Sequence, residues 1–348
     1  MDKKILTVYT GGTICTAPTA QGRELSPAVA KRALLLRFSE SNSPFARHCE
    51  ELFVDSCMPS EYQTLSENMT LSKLERIIEH IKSFDLESYR GVIILHGTDT
   101  LAFSSAMLSF AFCDTQVPIM LVSGNRPPMD NESNANANFS AAAELIMKGI
   151  APNVYVPYRN SDGSVYLHLG SSLMQCANYS EDFFSAPNRS FVLDDAILEN
   201  CAEISSKRKK INTPQKLDGK ALLLYPYTGL DYARISLDGI CGIIHGSYHS
   251  GTVCIERNDE SGEYSTRSIL YLADRCKRAE IPLFVAPSRL DTEQYSSVYD
   301  LCKNSEATLL DMTAESAYAK LILGISNGYF GKELKRFMLE EINNEFIT

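Results

Sequence analysis

Two short segments gather the residues that could do chemistry. Thr10-Gly11-Gly12-Thr13-Ile14 follows one apolar run, and His96-Gly97-Thr98-Asp99-Thr100 follows another. Glycines let the backbone turn sharply and approach a ligand. The threonines set hydroxyls beside it, and Asp99 adds a carboxylate that can fix an ammonium or orient a base. A threonine hydroxyl attacks a carbonyl only when a base takes its proton. Singly, each segment also reads as a turn and helix cap. Other chemistries lack their signatures. There is no G-x-x-x-x-G-K-[ST] phosphate loop and no G-x-S-x-G elbow. The six histidines form no Cys/His cluster, so no metal site is expected.

Elements must hold these segments in place. Ile5–Tyr9 is an apolar run stopped by Gly11-Gly12, a strand with a turn behind it. Gly91–Leu95 is continuously apolar, as expected of a strand buried on both faces. In open parallel sheets ligands bind outside the carboxyl ends of the strands, so both segments should face one crevice. Pro27 opens a helix through Ala28–Phe38. Leu71, Leu74, Ile77, Ile78 and Ile81 form one stripe of a helix over Leu71–Phe84, with Thr70 or Ser72 to cap it. Helices over Leu101–Phe112 and Asn138–Lys148 alternate with strands at Val117–Val122 and Asn153–Tyr158. Alternation of this kind predicts a mostly parallel α/β sheet.

Pro214 and the basic run Lys207–Lys210 mark residues 191–218 as a linker, with one short strand at Phe191–Leu193. A second α/β pattern follows. Its strands are Ala221–Tyr225, Gly239–His245 and Ile281–Ala286, and its helices Arg267–Arg278, Tyr295–Asn304, Ala314–Ser326 and Gly331–Asn344. The expected architecture is α/β: a parallel-sheet N-terminal domain over 1–190 and a smaller α/β domain over 219–348.

Composition agrees. The 348 residues are 44% hydrophobic and 22% charged, suiting two globular domains. Net charge is −10, from 33 Lys+Arg against 43 Asp+Glu, which argues against a nucleic-acid partner. No apolar stretch approaches the ~20 residues of a membrane helix. The start, Met1-Asp2-Lys3-Lys4, does not read as a secretory signal. Ten scattered cysteines without a C-x-x-C pair fit a reducing compartment. A cytoplasmic location is expected.

Together the two segments resemble the asparaginase/glutaminase family of amidohydrolases, whose signatures are a T-G-G-T-[IV] and an H-G-T-D-T strand end. The likeness covers nearly the whole chain. Leu65-Ser66-Glu67-Asn68-Met69-Thr70 is similar to the family's substrate-binding serine segment, and Leu310-Asp311-Met312-Thr313-Ala314-Glu315 to its C-terminal segment. The resemblance implies Thr13 as nucleophile and Thr98 as a partner in proton transfer. It implies Asp99 as the holder of the substrate α-amino group, Ser66 as the binder of its carboxylate, and Glu67 as a further amine contact. Gly12, Gly97 and Asn125 complete the implied substrate-binding set. It further implies a small-molecule amide substrate, no cofactor, and a homodimer or homotetramer.

Two family residues are replaced. Arg23, within Gln21-Gly22-Arg23-Glu24, stands where the family has a tyrosine that helps activate the nucleophile. Gln175 stands where it has a lysine, and no lysine lies between Lys148 and Lys207. Glutamine is not a general base at neutral pH. Three readings follow: hydrolysis of L-asparagine with another proton carrier (Glu24, Tyr179 or Arg23 paired with a carboxylate), hydrolysis of a related amide, or a catalytically impaired paralogue that binds Asp or Asn. An amidase component supplying ammonia to a partner is a further possibility. In His245-Gly246-Ser247-Tyr248-His249-Ser250-Gly251-Thr252, Thr252 stands closest to a family asparagine that completes a neighbouring subunit's site. His249 reads as a structural hydrogen-bonding residue or a carrier reaching that site. Arg159 and Asn160 are ligand contacts or loop ties, and Tyr155, Tyr158 and Tyr166 read as strand residues.

Overall fold

The computed structural model describes residues 3–20, 22–194, 196–258, 263–288 and 295–347. Met1, Asp2 and Gln21 lie outside them. The chain divides into two compact units. One comprises residues 1–215 and 342–344, and the other 216–341 and 345–348.

The first unit is built on a seven-stranded sheet. Its strands are β1 (Ile5–Tyr9), β4 (Phe53–Cys57), β5 (Gly91–Leu95), β6 (Ile119–Val122), β7 (Val154–Arg159), β8 (Val165–Leu169) and β9 (Ser190–Val192). A separate hairpin pairs β2 (Thr16–Thr19) with β3 (Gly22–Leu25). The sheet order is β4-β1-β5-β6-β7-β8-β9. Pairing is parallel from β4 to β7 and antiparallel for the last two strands. The connection from β1 runs to β4 on one side, and the chain then returns to β5 on the other. The switch in winding therefore falls between β1 and β5, where an open α/β sheet leaves its binding crevice.

Both strands at the switch are fully buried. In β5 that follows from an unbroken apolar sequence and in β1 from one interrupted only by Thr7, since each buried Val, Leu or Ile gains about 1.5–3 kcal/mol over an exposed one. Around the sheet lie α1 (Pro27–Ser39), α2 (Cys49–Leu52), α3 (Leu71–Lys82), α4 (Leu101–Ala111), α5 (Ala135–Met147) and α6 (Ile197–Ser205). Thr70 caps α3 by accepting from Lys73 N–H at 3.3 Å, and Leu74, Ile77, Ile78 and Ile81 are its buried stripe.

The second unit has a four-stranded parallel sheet, β10 (Ala221–Leu224), β11 (Gly242–His245), β12 (Leu283–Val285) and β13 (Thr308–Leu309), in that order. It carries α7 (Ile269–Arg278), α8 (Ser296–Asn304), α9 (Ala314–Ser326) and α10 (Gly331–Leu339).

Several elements differ from expectation. Residues 191–218 contain α6 as well as the end of β9. The final helix stops at Leu339 rather than Asn344, because residues 342–344 leave it to join the first unit. There Asn343 Nδ2 donates to Ser109 O at 2.8 Å, and Ser171 Oγ donates to Asn343 O at 2.7 Å. The strand expected from Gly239 starts at Gly242. Among the described residues no helix is long and apolar enough to cross a membrane.

Candidate active site

Three loops meet at the carboxyl ends of β1 and β5. Gly12 N–H donates to Thr64 O at 2.9 Å and Thr64 N–H to Thr10 O at 3.1 Å, which ties the segment before Ser66 to the first loop. Gly12 has φ 76° and ψ 175°, a region open essentially to glycine alone. A Cβ there would lie 2.2 Å from Gly97 Cα. A Cβ on Gly97 would lie 2.4 Å from Ser66 Oγ. Backbones can come this close only without side chains between them, so the two glycines hold Thr13, Ser66 and Thr98 in one assembly.

Hydrogen bonds fix its orientation. Ser66 Oγ donates to Asp99 Oδ2 at 2.8 Å and accepts from Asp99 N–H at 3.1 Å. Thr100 Oγ1 donates to Ser66 O at 3.0 Å. Thr13 opens a single helical turn whose next two residues, Ile14 and Cys15, are buried and anchor it to the core. Thr16 Oγ1 closes that turn by donating to Thr13 O at 2.7 Å. Thr13 and Thr98 are half-buried, while Glu67 is exposed.

A cleft of about 290 Å³ opens beside this assembly, lined by Thr98, Asp99 and Asn125 together with residues 175–181, Tyr158 and Phe183. Of the expected site residues, Thr98, Asp99 and Asn125 line the cleft. Ser66 reaches it through Asp99. Gly12 and Gly97 lie in the backbone contact just described, and Thr13 follows Gly12 outside the lining. Asn125 is set by a reciprocal pair. Its N–H donates to Asn134 Oδ1 at 2.9 Å, and its Oδ1 accepts from Asn134 N–H at 3.1 Å. Its Nδ2 donates to Glu181 Oε2 at 2.6 Å.

The far wall went unread in the sequence, apart from Gln175 and Tyr179. Buried Asn160 holds it, donating to Phe183 O at 2.9 Å and accepting from Phe183 N–H at 3.0 Å. Tyr158 packs edge-on against Phe183, centroids 4.7 Å apart. Asn160 is thus a loop tie. Tyr158 is both a strand residue and cleft lining, with its hydroxyl pushed up to about 12 by burial. Gln175 Nε2 donates to Asp99 O at 2.5 Å. Of the substitute proton carriers, Tyr179 lines the cleft and is fully exposed. Arg23 and Glu24 lie exposed on β3. The Arg23 charge helps hold the Asp130 carboxyl below its ordinary range, after a backbone hydrogen bond from Glu132 and the Arg126 charge.

His96 and His245 are held in structural hydrogen bonds. His96 Nδ1–H donates to Gly97 O at 2.7 Å, and burial holds its ring neutral. His245 does the same toward Gly246 O at 2.6 Å, and its Nε2 accepts from Tyr232 hydroxyl at 2.7 Å. His245 and His249 are four residues apart, a spacing that two metal ligands can have. Both His245 nitrogens are already occupied, and His249 is exposed on a turn closed by Tyr248 N–H to Thr252 O at 3.0 Å.

The whole-chain fold is that of L-asparaginases. The L-asparaginase I of Vibrio cholerae superposes with TM-score 0.72 at 21% identity, covering 99% of both chains. The thermostable L-asparaginase of Thermococcus kodakarensis gives 0.70 at 20%, again over 99% of each. Residues 4–205 match the family model described as "Asparaginase, N-terminal". The chain belongs to the asparaginase family. Curated relatives include a glutamyl-tRNA(Gln) amidotransferase component of Saccharolobus islandicus, 27% identical over 66% of this chain and 51% of that one. The chain thus spans about half the length of the first curated relatives it matches. The same amidotransferase component of Sulfolobus acidocaldarius is 24% identical over 99% of this chain and 76% of its own.

Proposed function

We propose that the chain is an amidohydrolase that cleaves the side-chain amide of L-asparagine, or a related small amide, to acid and ammonia. The observation that supports this reading is the glycine-only contact of three loops at the winding switch, beside a cleft lined by Thr98, Asp99 and Asn125, with Ser66 bonded to Asp99 and Thr13 next to Gly12. In this reading Thr13 Oγ1 attacks the carboxamide carbon, ammonia leaves, and water releases the acid from the acyl-threonine. The oxyanion needs N–H donors. Gly12 N–H and Asp99 N–H are committed to Thr64 O and Ser66 Oγ, so other amides of these loops must serve. Asp99 takes the substrate ammonium, and Ser66, Glu67 and Asn125 complete the pocket. Tyr179, on the cleft wall, is the proton carrier that replaces the family lysine. The first unit would carry nucleophile and pocket, and the second would complete a neighbouring subunit's site in a homodimer or homotetramer, through Thr252 or His249.

Gln175 favours a second reading, a paralogue that binds Asp or Asn without turnover. The relatives' names add a third, an amidase component serving an amidotransferase, which co-migration with a partner in size exclusion would support. Ammonia release from L-Asn, L-Gln, D-Asn and N-substituted amides decides between the first two. Release abolished by Thr13→Ala and Thr98→Ala, a loss of at least about 10³ in kcat as for other nucleophiles, supports hydrolysis. Turnover that survives Thr13→Ala removes it. Calorimetric binding of L-Asp without any release identifies a binder.

A further inference from the structure

The cleft has an unusual charge balance. Two carboxylates line it, Asp99 and Glu181, and among its described lining residues there is no lysine, arginine or histidine. Asp99 meets the hydroxyl of Ser66 at 2.8 Å and Glu181 the carboxamide of Asn125 at 2.6 Å, both neutral donors. Neither forms an ion pair among the described residues. Nearby charges are engaged elsewhere. Arg126, whose charge feels Glu181, pairs with Glu132 at 2.5 Å and Asp130 at 3.5 Å. Asp182 has both carboxylate oxygens taken by Ser161, N–H and hydroxyl, each at 2.7 Å. Glu181 therefore differs from its neighbour: it is placed by one neutral hydrogen bond, with no ion pair among the described residues and the already engaged Arg126 charge acting on it.

One ammonium satisfies Asp99 in the function proposed above, on which this inference rests, and Glu181 remains. We propose that the natural ligand carries a second cationic group, an ammonium or guanidinium, which Glu181 holds. Glu181 is then the residue that sets specificity, selecting a dicationic small amide over a simple amino-acid amide. Its carboxylate is exposed, so the pairing is solvent-screened. Exposed pairs are modest, and a preference of roughly five-fold is expected.

The test is a matched pair of ligands: N4-(2-aminoethyl)-L-asparagine and N4-propyl-L-asparagine, which differ by an ammonium for a methyl. Calorimetry on the full chain measures both, in wild type and in Glu181→Gln, which keeps an oxygen to accept from Asn125. The proposal expects the aminoethyl ligand to bind about five-fold tighter in wild type and about equally in Glu181→Gln. It also expects the wild-type preference to shrink as salt rises. Equal affinities in wild type, a preference unchanged in Glu181→Gln, or no binding of either ligand overturns it. Binding with that preference but no ammonia or amine release would sink the hydrolase reading and leave this one standing. Ammonia release from L-Asn without the preference would do the reverse.

Discussion

Gly12→Ala probes the contact on which the site depends. Its cost has two parts. The φ of 76° with ψ 175° lies where a side chain costs about 1–3 kcal/mol. The new Cβ would also stand 2.2 Å from both Cα and N of Gly97, and backbone cannot swing aside as a side chain would, so relieving the overlap adds about 1–3 kcal/mol. The sum is about 2–6 kcal/mol, or roughly 5–20 °C in Tm for a unit of this size. Gly149→Ala is the control. It has φ 80° with nothing within 4 Å of its Cβ, so it incurs only the left-handed strain, about 1–2 kcal/mol. Differential scanning fluorimetry on the two variants separates the terms, with ammonia release followed alongside. If Gly12→Ala melts no lower than Gly149→Ala, the glycine contact does not hold the loops and the reasoning fails.

Burial pushes His168 down to about 3, from an ordinary value near 6.5. Between those values the unfolded chain binds a proton that the folded chain refuses. Stability from this group is therefore full above about pH 6.5 and is lost as pH falls through that window, up to about 5 kcal/mol. Urea melts from pH 7 to 4 should show this limb flattened in His168→Gln, and an unchanged slope refutes the assignment. In the second unit Lys320 Nζ meets Glu345 Oε1 at 2.6 Å with both side chains wholly buried. Lys320→Met or Glu345→Gln should each cost about 3–5 kcal/mol, and Lys320→Met with Glu345→Leu much less; denaturant midpoints check this, and near-additive losses would contradict it.

The sequence carried the elements whose burial is one-sided or complete. Gly91–Leu95 reads as buried because every residue is apolar, and the α3 stripe reads because four buried residues repeat at helical spacing. Elements with little apolar signal escaped. Strand β4 buries only Phe53 and contains Asp55 and Ser56, and α6 buries only Ile197 and Cys201. The T-G-G-T and H-G-T-D segments were legible as motifs, yet the Gly12–Gly97 contact joins residues 85 apart and depends on sheet order. The wall over 175–183 carries no periodicity. Its placement comes from Asn160 and Tyr158, which are distant in sequence and bear no local mark of the role.

In the proposed reading, Gln175 in place of the family lysine bears on what the cleft recognises as much as on what it catalyses. A lysine there would bring a fixed positive charge beside Asp99. Gln175 makes a hydrogen bond at that place through Nε2, to Asp99 O, but it is neutral. The backbone of the His96-Gly97-Thr98-Asp99 loop is thereby tied as a lysine could tie it, while the Asp99 charge stays available. In the proposed reaction two consequences follow together. The proton of Thr13 needs a carrier from elsewhere, and of the residues offered Tyr179 stands on the cleft wall. The ligand also meets Asp99 and Glu181 in a lining that holds no lysine, arginine or histidine among its described residues, so in the proposed reading the charge that a lysine at 175 would supply arrives with the ligand. In the proposed reading, a neutral donor at 175 in place of a charged one thus links the proton carrier needed by Thr13 to the specificity proposed for Glu181.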